Sequence, residues 1–122
     1  MTSYGESIDR TPAGMGTKFS LVAGTAGVTA GDCVKLDSNG DVVDCDATND
    51  DVIGIARDTV TDGNPVTVLG NGCIVESSSY SLTAGSRTGC SATTGLPKDW
   101  ASSGTYVGWN LTTTKVLVHI QD

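Results

Sequence analysis

The sequence predicts an all-β domain, built as a small barrel or sandwich, and three observations support this prediction. Sixteen glycines in 122 residues interrupt almost every stretch of ten, so the chain must turn often. No window repeats apolar residues at the i, i+3, i+4, i+7 spacing of an amphipathic helix. Short runs rich in β-branched and aromatic residues are instead bounded by Gly, Asn, Asp or Ser, as is typical of strands joined by tight turns.

Eight such runs are predicted to form strands. In chain order they cover residues 19–23, 33–36, 41–45, 52–56, 65–69, 73–77, 106–110 and 115–120. Residues 1–18 show little β alternation and are predicted to form an extended N-terminal arm, with Tyr4, Ile8 and Met15 as apolar anchors for a partner. Residues 19–122 are predicted to form a single β domain, because the chain is too short for two cores of ordinary size.

The clearest hairpin lies within residues 32–45, where Ser-Asn-Gly at 38–40 separates two β runs. A three-residue loop at 38–40 places Cys33 opposite Cys45. A two-residue loop at 39–40 shifts the register by one residue and places Val34 opposite Cys45 instead. The turn type, and with it the register, stays open from the sequence.

The chain has four cysteines, no C-x-x-C pair and a single histidine, His119, a pattern that does not favour a structural zinc site. The three-residue hairpin loop would bring Cys33 and Cys45 within the separation that a disulfide requires, so these two are the first candidate pair. Cys73 and Cys90 then form a second pair or remain as two buried thiols.

A weak internal repeat runs through the sequence. Val-Thr-Ala-Gly at 28–31 returns as Leu-Thr-Ala-Gly at 82–85, and the strand at 52–55 returns loosely at 106–109, both after 54 residues. The run at 66–68 has a rough counterpart at 116–118, after 50 residues. The preserved order predicts duplicated halves at about 26–70 and 80–120, with chance similarity in a biased composition as the alternative.

Composition and charge exclude several classes of function. A net charge of −7 and a pI near 4.3 argue against a nucleic-acid surface and against an anionic membrane as partner. No apolar run approaches the ~20 residues of a membrane span, and the first residues lack the basic and apolar regions of a secretory signal, so we expect a soluble product without a leader.

Nothing in the sequence indicates an enzyme. His119 lies in an alternating strand whose apolar residues occupy the opposite face, and no nucleophile or phosphate-binding motif is present. The run from Asp37 to Asp41 resembles the start of a calcium loop but lacks the closing Glu and the flanking helices. We therefore expect a solvated acidic face, no metal and no cofactor.

Several ordered motifs together resemble the capsid decoration, or cement, proteins of tailed bacteriophages, and distantly the head decoration protein of lambda-like phages. The resemblance covers roughly residues 20–120, and its motifs are Ala-Gly-Val-Thr-Ala-Gly-Asp at 26–32, Val-Lys-Leu-Asp at 34–37, Gly-Asp-Val-Val at 40–43, Asp-Val-Ile-Gly-Ile-Ala at 51–56, Asp-Gly-Asn-Pro-Val-Thr-Val at 62–68, Gly-Asn-Gly at 70–72, Leu-Thr-Ala-Gly at 82–85 and Val-Gly-Trp at 107–109.

This resemblance implies a β-tulip-like domain, made in the host cytoplasm, that decorates the outer surface of an icosahedral HK97-type virion. It implies a homotrimer at threefold positions, with an arm that includes Tyr4, Ile8, Met15 and Phe19 contacting the major capsid protein. The cysteines and the polar stretch at 86–103 depart from the family pattern and leave the disulfides and the outer loops open.

The main alternative is a carbohydrate- or surface-binding β module of a phage fibre or an extracellular protein. Trp100, Tyr106 and Trp109 fall within ten residues and could form a platform on which sugars stack. The commoner role of such rings in a glycine-rich β domain is to fill a core or an interface between subunits. A metal-bound accessory domain is a weaker third alternative.

Overall fold

The computed structural model describes residues 9–48, 50–91, 93–101 and 104–121, and in these ranges it contains ten strands and no helix. The prediction of an all-β chain is therefore confirmed. The strands are β1 (Lys18–Val22), β2 (Cys33–Leu36), β3 (Val42–Asp44), β4 (Gly54–Ala56), β5 (Pro65–Leu69), β6 (Ile74–Glu76), β7 (Arg87–Cys90), β8 (Pro97–Asp99), β9 (Tyr106–Asn110) and β10 (Lys115–Gln121).

The ten strands form two antiparallel five-stranded sheets of the same topology. The first sheet has the order β1-β5-β4-β2-β3, and the second has the order β6-β10-β9-β7-β8, so each strand of the first recurs five strands later. None of the described residues belongs to a helix of the length and apolarity needed to cross a bilayer.

Backbone pairings repeat between the sheets at the predicted spacing of 54 residues. Val34 pairs with Gly54 in the first sheet, and Thr88 pairs with Gly108 in the second. The turns before β2 and β7 also match, because the N–H of Gly31 donates to the carbonyl of Ala56 at 2.8 Å and that of Gly85 to the carbonyl of Asn110 at 2.8 Å. These matches are the arrangement expected of a duplicated unit.

One part of the predicted repeat is wrong. The sequence alignment matched residues 66–68 with residues 116–118, but Ile55 pairs with Leu69 and Trp109 pairs with Leu117. The last strands of the halves thus correspond after 48 residues, because the loops that precede them differ in length. Alternating Val residues in both strands allow this slip by two without changing the buried face.

The two sheets pack on each other through a shared apolar core. Ile55 and Leu69 contribute from the first sheet, and Val107, Val116 and Val118 contribute from the second. All five side chains are fully buried.

The first sheet also buries its other face. Val34, Val42, Val66 and Val68 form a second apolar cluster there, and a parallel bridge between Ala23 and Val42 brings the two edges of the sheet together at one corner. The first sheet is therefore curled around its own core.

The hairpin formed by β2 and β3 has the three-residue loop. Lys35 pairs with Val43, and the N–H of Cys45 donates to the carbonyl of Cys33 at 2.9 Å, so these cysteines are cross-strand neighbours as predicted for this register. Gly40 adopts a φ of +83° in the loop, a conformation that favours glycine.

All eight predicted strands are present within one or two residues of their predicted ends, and two strands were missed. The missed strands, β7 and β8, lie in the polar stretch at 86–103. The segments Arg-Thr-Gly-Cys and Pro-Lys-Asp lack the apolar alternation that marks a half-buried strand.

Residues 9–17 of the predicted arm lie along the edge of the second sheet. Asp9 forms an antiparallel bridge with Val75, the N–H of Arg10 donates to the carbonyl of Ile74 at 2.8 Å, and Thr17 bonds in the same way to Asn71 at 2.9 Å. Strand β1 then begins at Lys18, one residue before the predicted boundary. Two of the predicted anchors, Tyr4 and Ile8, lie outside the described residues.

Candidate functional site

The N-terminal segment, residues 9–17, is attached to the body by side chains as well as by backbone bonds. Lys18 Nζ lies 2.9 Å from Asp9 Oδ2, and Arg10 Nε lies 3.0 Å from Glu76 Oε1. Burial raises the pKa of Asp9, but the hydrogen bonds from Lys18 and Thr11 outweigh burial and hold this pKa below its usual value. Partly exposed ion pairs each contribute only ~0–1 kcal/mol, so the backbone bonds carry most of the attachment.

Large apolar side chains are exposed along this segment and the strand that follows it. Met15 is 53% exposed, Phe19 is 39% exposed and Val22 is 44% exposed. The ring of Phe19 lies over Gly70, where a side chain at position 70 would collide with it. Met15 and Phe19, two of the predicted contact residues, are thus available to a partner on the surface of the protein.

An apolar recess lies beside Phe19. One depression of about 310 Å³ is lined by Phe19, Ile53 and Ile120, and a neighbouring one of about 440 Å³ is lined by Ile53, Tyr106 and Ile120. The two depressions share Val52, Ile53 and Ile120 and so form one continuous recess, bordered on one side by β1. We call Met15, Phe19, Val22 and this recess the apolar face.

The aromatic residues that suggested a sugar platform do come together. The ring centroids of Trp100 and Tyr106 lie 4.9 Å apart. However, the guanidinium of Arg87 lies over the ring of Tyr106 at 4.3 Å and over the ring of Trp109 at 4.5 Å. Because Arg87 already covers a face of each of these two rings, the arrangement is that of a packed cation–π cluster rather than an open stacking platform.

All four cysteines are buried free thiols, so neither predicted disulfide is present. Cys33 and Cys45 are opposite each other, but they occupy a hydrogen-bonded pair, in which side chains lie further apart than in a non-hydrogen-bonded pair. The thiol of Cys45 hydrogen-bonds with Cys90 of the second sheet instead. The thiol of Cys73 donates to the carbonyl of Thr17 at 3.4 Å.

Asp32 and Asp44 form a buried pair of carboxyl groups. Burial raises the pKa of Asp32 to about 8, and the hydrogen bond with Asp44 and the charge of that residue add to the shift. Burial also raises the pKa of Asp44, while its hydrogen bonds with Asp32 and with the backbone of Thr29 oppose this. Asp32 is therefore the protonated partner at neutral pH and donates to Asp44, whose Oδ1 has no hydrogen-bond partner among the described residues.

The other candidate residues do not assemble into a reactive site in the described part of the chain. His119 is exposed on β10, as predicted for a solvent-facing strand histidine. Asp37 accepts hydrogen bonds from the N–H groups of Asn39 at 2.8 Å and Asp41 at 3.0 Å, so its carboxylate orders the hairpin loop. No group of three or more His, Cys, Asp or Glu side chains in the described ranges is placed to hold a metal ion.

A comparison of the sequence with known protein families finds no matching family, and a comparison with curated proteins finds no match.

Proposed function

We propose that the protein is a capsid decoration protein that binds the outside of an icosahedral HK97-type shell and stabilises it by bridging major capsid proteins. The proposal rests on the ordered sequence motifs between residues 20 and 120 that resemble such proteins. The all-β fold with two similar sheets is compatible with this role.

The observation that carries the proposal is the apolar face. Met15, Phe19 and Val22 are exposed side by side in sequence, on a segment attached to the edge of the second sheet, and the recess beside Phe19 adds apolar surface. Contiguous exposed apolar surface of this kind marks sites of protein–protein contact. The proposed partner is the major capsid protein, and residues 1–8 would extend this contact from Asp9.

Trimeric binding at threefold positions is part of the proposal. A small β domain buries limited apolar area, and each copy on the shell would gain contacts both with the shell and with its neighbours. The acidic surface, with ten of the fourteen acidic residues between Asp32 and Glu76, would keep free copies apart and soluble until the shell holds them together.

Co-sedimentation with undecorated shells of the phage's own major capsid protein tests this function. We expect saturable binding with copy numbers in multiples of three per threefold position, and no change of tryptophan fluorescence on adding mono- and oligosaccharides. A chain that stays in the supernatant at saturating concentration, while its tryptophan fluorescence is quenched by a sugar, would instead support the carbohydrate-binding alternative.

The double variant Met15→Ser, Phe19→Ser is expected to weaken shell binding at least tenfold. Two apolar side chains at the centre of an interface typically contribute ~1–3 kcal/mol each, and ~1.4 kcal/mol corresponds to a factor of ten. Binding isotherms from co-sedimentation measure the change.

Leu36→Ser and Leu111→Ser are the matched controls, since both residues are large, apolar and exposed but lie outside the apolar face. Thermal unfolding of each variant separates a loss of binding from a loss of fold. Equal weakening by the controls, or unchanged binding by the double variant, would remove the apolar face from the contact.

A further inference from the structure

Two thiols from different sheets meet in the core. Cys45 follows β3 in the first sheet, and Cys90 ends β7 in the second. Their residues are only 3% and 1% exposed, and both belong to the core cluster shared by the sheets. The thiol of Cys45 hydrogen-bonds to the sulfur of Cys90, whose own thiol donates to the carbonyl of Ala47 at 3.3 Å.

A small cavity gives access to this pair from one side. Its volume is about 30 Å³, and it is lined by Cys90 together with Thr48, Lys98, Trp100 and Gly104. This volume is enough for one or two water-sized molecules. A small oxidant can therefore approach Cys90, whereas a peptide disulfide such as oxidised glutathione is too large to enter.

We propose that Cys45 and Cys90 form a disulfide that joins the two sheets when the protein meets hydrogen peroxide. The proposal concerns the isolated chain and does not depend on shell binding.

The reaction balances as a two-electron oxidation of two thiols. The Cys90 thiolate attacks one oxygen of hydrogen peroxide, the O–O bond breaks, and the products are a sulfenic acid on Cys90 and one water. Cys45 then attacks the Cys90 sulfur, which forms the S–S bond and releases the hydroxyl group as a second water. Two thiols and one peroxide thus give one disulfide and two waters.

The surroundings favour Cys90 as the first residue to react. The hydrogen bond from Cys45 lowers the pKa of the Cys90 thiol, burial opposes this shift, and the positive charge of Lys98 supports it. The thiolate is the nucleophile, so a lowered pKa increases its fraction at neutral pH.

The other cysteines are poorly placed for this chemistry. Cys33 is fully buried, and burial raises the pKa of its thiol well above the usual value. Cys73 lies beneath the N-terminal segment, where its thiol contacts Thr17 and its surroundings include Gly16. Neither residue lines the cavity beside Cys90.

Peptide mapping of the full chain after treatment with hydrogen peroxide tests the proposal. We expect two free thiols in the unfolded, unreduced protein and a single cross-linked peptide pair that contains Cys45 and Cys90. The urea midpoint of unfolding should rise by about 1 M on oxidation, since the cross-link closes a loop of more than 40 residues, and should return on reduction.

Cys45→Ser and Cys90→Ser should both lose the cross-link, and Cys33→Ser, the matched control, should retain it. If a variant fails to fold, the mapping of the natural chain still decides. Four free thiols after treatment would overturn the proposal, and so would a bridge between Cys33 and Cys45, a bridge between chains, or over-oxidation of Cys90 with Cys45 left free.

Discussion

Replacing Gly108 with alanine is expected to unfold the protein or to cost more than about 3 kcal/mol of stability. A Cβ at position 108 would overlap the carbonyl oxygen of Leu117 and press on the backbone nitrogen of His119, because β9 and β10 approach closely there. Backbone atoms in a ladder cannot move aside without breaking its hydrogen bonds, so the cost is that of severe overpacking. Urea unfolding followed by circular dichroism measures the effect.

Gly54 provides an independent test of the same feature. It occupies the corresponding position in the first sheet, and a Cβ there would overlap the carbonyl oxygen of Leu69. Gly54→Ala should therefore be destabilising to a similar degree. Gly40→Ala is the matched control, because position 40 has a φ of +83° but open space around it, and its cost should be only ~1–2 kcal/mol. A Gly108→Ala protein with the natural unfolding midpoint would contradict this account of the close strand approach.

Raising the pH from 6 to 8 is expected to destabilise the protein by about 2 kcal/mol through Asp32. In the unfolded chain this carboxyl is ionised above pH ~4, whereas in the folded protein its pKa is about 8. Between these values unfolding releases one proton, so stability falls by up to ~1.4 kcal/mol per pH unit. The contribution of Asp32 is fully present below pH ~4 and is lost as the pH rises through 8.

Other carboxyl groups act in the opposite direction and in a lower pH window. The hydrogen bonds from Thr83 hold the pKa of Asp99 below its usual value, and the pKa of Asp9 is lowered as well. Their contributions are present above pH ~4 and are lost as the pH falls below it. Maximum stability is therefore expected at mildly acidic pH.

Asp32→Asn separates these effects. The amide can still donate a hydrogen bond to Asp44 but carries no charge at any pH, so the fall in stability between pH 6 and pH 8 should disappear. Asp62→Asn, which removes an exposed carboxyl, should leave the fall unchanged. A natural chain whose urea midpoint is constant over this range, or an Asp32→Asn variant that keeps the slope, would contradict the assignment.

The strands with clear apolar alternation could be predicted from the sequence, and those without it could not. The run at 115–120 alternates valine and polar residues and was recognised as β10. Strand β7, Arg-Thr-Gly-Cys, has no such pattern, because cation–π contacts of Arg87 and the buried hydrogen bond between Thr88 and Asn110 replace apolar packing there. The repeat held a usable signal, since adding 54 to the bounds of β2 gives the bounds of β7.

The cysteine pairing shows why a local register does not determine a site. The hairpin register placed Cys33 opposite Cys45, and the structure has this register. Which thiols touch depends on how the two sheets pack, and that packing brings Cys90 to Cys45. The pair of Asp32 and Asp44 was missed for a similar reason, because the acidic residues read as a solvated face in the sequence and only the fold buries these two.

The most direct measurement of the proposed function is a cryo-electron microscopy reconstruction of shells before and after addition of the full chain. We predict additional density in sets of three around the threefold positions, with the apolar face, including Met15 and Phe19, against the major capsid protein. Shells that show no additional density at saturating protein, or single copies at the centres of hexamers, would contradict the proposal.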